Sequence, residues 1–365
     1  MVTLAQPRPP ELTPRHAPLR HLGPNWYAVV MGTAIVAGAG AGLPFRVPGL
    51  PLVWALSLAL LAVLVAARAA HWRHHRDQAR AHLLDPAVAP FHGCTSMAFL
   101  AVGIGALTVG KDLIGEGAAV PLAWALYAIG TATGLAVAVG VPYLMVVRHR
   151  IAPGTASPVW LLPVVAPMVS ATLGALLVPH LPAGQPREAL LYGSYALFGM
   201  SLLAVLVLLP VVFARLLHEG PPPLVLTPAL FLVLGPLGQS TTAVSKLADV
   251  APGAVGAPYA GALNAFAVVY GVPVTGFALM WLALATAMVV RAARSGMTFA
   301  MTWWAFTFPV GTWVTGAQGL AHRTGLTAFT WLACGLYALL VAAWLAAGAH
   351  TVRGLLNGRL LAAPR

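Results

Sequence analysis

Ten long apolar runs, each closed by a charged residue or a Pro/Gly-rich break, constrain this chain more than anything else in it. They cover 26–43, 50–70, 94–110, 119–147, 158–179, 189–214, 224–245, 259–290, 298–320 and 325–349. A helix rises 1.5 Å per residue and the hydrocarbon core of a bilayer is about 30 Å thick, so roughly 20 apolar residues make a span. In lipid each backbone polar group must be satisfied without water, which leaves helices or closed barrels. Apolar runs of this length without strict alternation predict helices. Composition agrees: 8% of the 365 residues are charged and 59% hydrophobic, against about 25% charged in soluble domains. The expected fold is an all-α polytopic membrane protein.

The charges orient the spans. With the N-terminus inside, the cytoplasmic side receives Arg8, Arg15, Arg20, Arg68, Arg73, Arg76, Arg80, Arg148, Arg150, Arg215, Arg291, Arg294, Arg353, Arg359 and Arg365. The other side receives only Arg46, Lys111, Arg187, Lys246 and Arg323, one per loop. This alternation through five successive hairpins is the positive-inside pattern, and it puts both termini in the cytoplasm, in the inner membrane of a cell. Residues 1–24, Pro-rich and basic, are expected to be disordered and cytoplasmic; 25–350 form the transmembrane domain and 351–365 a short cytoplasmic tail. A signal-peptide reading of the N-terminus fails, because losing the first helix would break the alternation. The longest loop, HWRHHRDQARAHLLDPAVAPFHG, is basic and His-rich, as expected beside anionic lipid. The net charge of +12 is scattered one to four bases per loop, so nucleic-acid binding is not expected.

The ten helices are of two kinds. Even-numbered ones are plainly aliphatic, as in PLVWALSLALLAVLVAA and SLLAVLVLLPVVF. Odd-numbered ones carry glycine, proline and hydroxyl residues near mid-membrane. These are Gly32-Thr33, then Thr95-Ser96 with Gly103 and Gly105, then Pro163 and Pro167 with Ser170 and Thr172. The seventh has Pro236 with Gln239-Ser240-Thr241-Thr242, and the ninth has Thr307, Pro309, Gly311, Thr312 and Thr315. Proline frees backbone carbonyls and bends a helix, which a bilayer tolerates where the freed groups face protein or a water-filled cavity. Close helix packing also uses small residues. Recurrence on alternate helices favours a central conduit, with five hairpins arranged odd helices inside and even helices outside. Gly32, Thr33, Thr95, Ser96, Ser170, Thr172, Ser240, Thr241 and Thr312 are its candidate lining.

All eight acids fall in loops or at helix ends, so no buried carboxylate is available to relay protons or hold cations. Hydroxyls, glycine backbone and basic residues at the mouths suit anions instead. Lys246, at the outer end of the seventh helix, is a candidate mouth charge, or simply a partner of lipid or Asp249. In the ninth helix, Trp303-Trp304 suit an interfacial belt, whereas Phe308 lies deeper, either facing the pore as a steric barrier or packing in the core. Cys94 and Cys334 have no evident partner and no Cys/His set has metal-ligand spacing. Neither a disulfide, a metal nor another cofactor is expected.

The segments PNWYAVVMGTAIVAG, SPVWLLPVVAPMVSATLGA, PALFLVLGPLGQS and MTWWAFTFPVGTW resemble the tellurite-resistance/dicarboxylate transporter family. That family includes plant slow anion channels, fungal malate permeases and fungal sulfite pumps. The resemblance runs from Trp26 to about Ala349. It implies ten helices as five hairpins around a central pore, a homotrimer of independent pores, and a phenylalanine of the ninth helix closing each one. On this chain that gate falls on Phe308 of the TFP motif, with Phe306 as the alternative if the register slips by two. PVWLLPVVAP and GPLGQS look closest to the sulfite-pump branch, and the absence of a deep arginine favours small inorganic anions such as sulfite, chloride or nitrate. The competing expectation is a proton-coupled transporter of malate-like dicarboxylates, with His92, His180 or His322 carrying protons. No DxxD, HxxxH or GxSxG pattern points to a membrane enzyme.

Overall fold

The computed structural model describes residues 17–361 apart from 153 and 359; the predicted disordered stretch 1–16 and the end of the tail, 362–365, lie outside the described residues. Within them every element is helical. In chain order the α-helices are α1 (Tyr27–Gly40), α2 (Leu50–His74), α3 (Arg76–Leu84), α4 (His92–Gly105), α5 (Lys111–Ile114) and α6 (Glu116–Val147). They continue as α7 (Leu161–Leu177), α8 (Gln185–Glu219), α9 (Leu234–Val250), α10 (Ala257–Arg294), α11 (Phe308–Thr324) and α12 (Thr327–Leu356).

Eight helical stretches are long and apolar enough to cross a membrane. The other two expected spans, 26–43 and 298–320, contain shorter α-helices, α1 of 14 residues and α11 of 17, or about 21 and 26 Å at 1.5 Å per residue. With its 3₁₀ turn, α1 is helical only over Pro24–Gly40, and α11 is cut from its own turn by a break at Thr307 (φ −97°, ψ −81°). Each is preceded by a 3₁₀ turn, Pro24–Trp26 before α1 and Met301–Phe306 before α11. The same lead-in precedes α4 (Ala89–Phe91), α7 (Pro158–Trp160) and α9 (Leu224–Val233). Pro24, Pro90, Pro158 and Pro309 stand at or next to the start of their helical segments, where a missing N–H costs nothing and φ is already set.

These five helices pack in a closed circuit: α1 on α4, α4 on α7, α7 on α9, α9 on α11, and α11 back on α1. Each of α2, α6, α8, α10 and α12 packs against the circuit helix before it. Burial separates the two sets. The most apolar window of Pro158–His180 is 94% buried, while that of Leu50–His74 is 22% buried. The inner contacts are close because glycine lets backbones touch. A Cβ on Gly93 would meet the Leu162 carbonyl, and one on Gly238 the Trp313 backbone. Indole N–H groups tie outer helices to inner ones: Trp54 Nε1 donates to the Val102 carbonyl at 3.1 Å and Trp281 Nε1 to that of Leu230 at 2.9 Å. Gly105 and Gly110 lie against the Trp54 ring, where α4 loosens into a π-turn over Ala106–Gly110.

The His-rich loop of the sequence contains α3. His71 and His82 stack with ring centroids 5.5 Å apart, and burial, then Arg68, push the His82 imidazole down to about 4. The segment ahead of α1 includes a 3₁₀ turn over Ala17–His21 that lies against α2. Arg68 Nη1 donates to the Leu22 carbonyl at 2.7 Å, His71 Nδ1 meets that of Leu19 at 2.8 Å, and Arg20 pairs with Asp77 at 2.7 Å. Helix α12 likewise runs on to Leu356, into the expected tail.

Candidate functional site: a vestibule inside the five-helix circuit

The N-terminal ends of α1, α4, α7, α9 and α11 meet around one cavity. Its inner wall takes Met31 from α1, Met97 from α4, Val165 from α7, Gly235 and Pro236 from α9, and Phe308 and Pro309 from α11. Asn25, Phe91 and Thr302, in the turns before the helices, stand nearer the end of the bundle. The space is only about 40 Å³, room for a water molecule or two. Phe308 is 4% exposed. Phe306 does not line the cavity; its ring meets Phe231 edge-on at 4.8 Å. Parallel helices ending here also turn five positive dipole ends toward the cavity.

Beyond this wall one spacing recurs on all five helices. Steps of four, three and four residues keep to one helix face. They run Met31–Ile35–Gly38–Gly42, Met97–Ala101–Ile104–Thr108, Val165–Val169–Thr172–Leu176, Gly235–Gln239–Thr242–Lys246 and Phe308–Thr312–Thr315–Gly319. In the second position of each, Ile35, Ala101, Val169, Gln239 and Thr312 are buried. Further along, Gly38, Ile104, Thr108, Leu176, Lys246, Thr315 and Gly319 are half-buried, while most of their helical neighbours are buried. The closed zone is therefore about two turns deep, and access returns toward the C-terminal ends.

The polar residues on these faces bond to one another. Gln239 Nε2 donates to Thr172 Oγ1 at 2.6 Å across α9 and α7. Thr242 Oγ1 reaches the Thr312 carbonyl at 2.8 Å and Thr315 Oγ1 at 2.6 Å across α9 and α11, and Thr312 Oγ1 donates to the Pro309 carbonyl at 2.8 Å. Of the candidates from sequence, Thr172 and Thr312 belong to this group. The others are not part of it. Thr33 accepts from Trp344 Nε1 of α12 at 3.1 Å, and Ser96 donates to the Gly130 carbonyl of α6 at 2.6 Å. Ser240 donates to the Leu237 carbonyl of its own helix at 3.0 Å, and a Cβ on Gly271 of α10 would meet the Thr241 methyl. Ser170 bonds within its own helix at 3.5 Å, Gly32 packs under Trp304 and Thr307, and Thr95 is half-buried beside Cys94. A hydroxyl in an apolar helix serves packing as readily as a pore, so residue type alone did not separate them. Spacing from the vestibule residues does, and it adds Gln239, Thr242 and Thr315.

At the far end of the circuit Lys246 Nζ lies 3.5 Å from Asp249 Oδ2, and Arg323 Nη2 lies 2.7 Å from Asp249 Oδ1. Among the described residues no group of three or more His, Cys, Asp or Glu side chains is placed to hold a metal.

A buried helical bundle surrounded by helices long and apolar enough to cross a membrane, with an apolar cavity where its inner helices begin, defines a multi-pass membrane protein. Comparison with known sequences makes the class specific. The voltage-dependent anion channel family, SLAC1, matches residues 21–352, and the chain belongs to that family of anion transporters. It is 30% identical over 318 residues to the sulfite efflux pump SSU1 of Trichophyton rubrum, covering 82% of each chain. It is 29% identical to the sulfite efflux pump of Arthroderma otae, over 90% of this chain and 89% of that one. An uncharacterized transporter of Methanocaldococcus jannaschii is 26% identical over 89% of this chain and 91% of its own.

Proposed function

We propose that this chain conducts small inorganic anions, sulfite and nitrate among them, through a pore enclosed by α1, α4, α7, α9 and α11, with Phe308 closing it. The observation that carries the reading is the vestibule wall, to which every one of the five inner helices contributes a residue, Phe308 being the aromatic ring that comes from the helices themselves and Trp304 one from the turn before α11. In this reading α1 and α11, each lengthened by its 3₁₀ turn, also cross the membrane. The total is ten crossings in five hairpins, and the vestibule opens to the cytoplasm on the Arg-rich side. Five helix N-termini then draw anions to a mouth that carries no carboxylate on its wall. A pore wall of Met31, Met97, Val165 and Phe308 is apolar and resists wetting, so closure is both steric and hydrophobic. Sulfite pumps among the relatives support an inorganic oxyanion over a dicarboxylate. A homotrimer follows from the family resemblance, and the mass of the purified complex tests it.

The test is anion efflux from proteoliposomes without a proton gradient, comparing chloride, nitrate, sulfite and malate. Phe308→Ala is expected to raise flux at least about tenfold, equivalent to lowering a barrier by about 1.4 kcal/mol, in an order that follows anion size and hydration. Phe306→Ala is expected to change it far less. Unchanged flux in Phe308→Ala, or malate movement only with a proton gradient imposed, contradicts the reading.

A further inference from the structure

We propose that Asp249 is a tethered competitor for the transported anion, holding with its own carboxylate an oxyanion site that Arg323 and Lys246 form at the far end of the pathway. The inference rests on the pore reading and assigns a substrate-binding site within it. Lys246 stands on the same face of α9 as Gly235, which lines the vestibule, so it faces the interior of the circuit. Asp249 is one turn on and Arg323 comes from α11, the next helix around. The two carboxylate oxygens are divided between them, Oδ1 on Arg323 Nη2 at 2.7 Å and Oδ2 on Lys246 Nζ at 3.5 Å. Two cationic donors on two helices sharing the two oxygens of one anion form a clamp for any small oxyanion of similar width.

The site is built rather than incidental. The Arg323 side chain is 4% exposed and is fixed by a second bond, Nη2 to the Ser245 carbonyl at 2.6 Å. Its Nε and the Ser245 hydroxyl are buried with no protein partner among the described residues, so two unpaired donors stand beside the clamp. The carboxylate itself is 35% exposed, within reach of solvent and of an incoming anion. Two cations against one carboxylate leave the trio at a net charge of +1. An arriving oxyanion displaces the carboxylate without leaving Arg323 unpaired, which makes exchange of one anion for another inexpensive. Asp249 therefore sets the concentration at which anions load and leave at this end. A single-atom halide cannot bridge the clamp as a two-oxygen anion does, so oxyanions are favoured over chloride here.

Thermal unfolding of the purified protein in detergent tests this without any transport step, with sodium nitrate and sodium chloride titrated at matched ionic strength. Asp249→Asn is expected to unfold at a lower temperature and to be restored by nitrate more than by chloride. Half-saturating nitrate should fall at least about threefold relative to wild type, the scale of a partly exposed ion pair. Asp249→Asn combined with Arg323→Gln is expected to lose that restoration. Should Asp249→Asn fail to fold, Lys246→Gln at its half-buried position is expected to weaken nitrate stabilisation of the otherwise native chain about threefold. Equal restoration by chloride, restoration that survives Arg323→Gln, or a Lys246→Gln response equal to wild type overturns the proposal. Flux in Phe308→Ala liposomes separates the two readings. If Phe308→Ala conducts and adding Asp249→Asn leaves half-saturation unchanged, the clamp is wrong and the pore stands. If Phe308→Ala is silent, the pore reading fails and the unfolding data still decide the clamp.

Discussion

The glycines of α4, α9 and α11 and those of α6, α8, α10 and α12 live in different environments. On inner helices, a Cβ on Gly93 would strike the Leu162 carbonyl, one on Gly238 the Trp313 backbone, and one on Gly316 the Gly238 carbonyl and the Thr241 side chain. On outer helices, Gly140, Gly199, Gly276 and Gly348 have nothing within 4 Å of where a Cβ would stand. Among the crowded outer glycines, Gly130, Gly134 and Gly271 meet inner-helix side chains, while Gly354, near the end of α12, meets Leu360. Mid-helix glycines on the inner faces thus bring inner backbones together, and Gly130, Gly134 and Gly271 seat outer helices against them. The difference teaches that the inner circuit is a precisely packed unit, whereas the outer helices present their free faces to lipid, where exposed Leu203, Val207 and Val269 cost nothing.

That contrast can be broken or sharpened by experiment. The largest effect is expected at Phe308, whose replacement by alanine opens the pathway as stated above. Next, Gly238→Ala forces α9 and α11 apart at a backbone contact and should destabilise the protein by roughly 2–4 kcal/mol, read as loss of folded material in thermal scans; Gly199→Ala should change little. An equal penalty at Gly199 would erase the distinction between the two sets. Then Gln239→Leu removes the 2.6 Å bond to Thr172 and leaves that buried hydroxyl without its donor, at about 1–2 kcal/mol. The smallest effect concerns pH. The His82 imidazole is held at about 4, below the 6.5 of an unfolded chain. Protonation therefore favours the unfolded state, and the contribution of His82 is present above pH 6.5 and lost as pH falls through 4. His82→Asn should flatten the fall of melting temperature between those values; an unchanged slope would show that other groups carry it.

Much of this architecture was legible in the chain. Apolar run length located the helices to within a few residues, as with 50–70 against Leu50–His74 and 119–147 against Glu116–Val147, because lipid leaves hydrophobic length as the dominant constraint. The alternation of plain and Gly/Pro/hydroxyl-rich runs marked the inner set for the same reason, since lipid-facing surface rewards aliphatic side chains alone. The 3₁₀ lead-ins were not legible: their prolines were visible, but a proline equally signals a kink or a first turn. The direction of each hydroxyl was hidden too. Thr33 and Thr172 are alike in sequence context, and only the neighbouring helix decides that one meets Trp344 and the other Gln239. Phe308 and Phe306 stand two residues apart, and the sequence did not tell which one meets the cavity; Phe308 lines it, while Phe306 packs edge-on to Phe231.

The central claim is that the inner faces, and not the outer ones, form the anion pathway. It is tested most directly by single cysteines in a Phe308→Ala protein that also carries Cys94→Ala and Cys334→Ala, placed at Thr315 on an inner face and at Val207 on an outer one. The account predicts that a negatively charged, water-soluble thiosulfonate modifies Thr315→Cys and blocks anion efflux, while Val207→Cys is left unmodified and conducting. Modification at Val207 with Thr315 protected, or efflux that continues after Thr315→Cys is fully labelled, would contradict it.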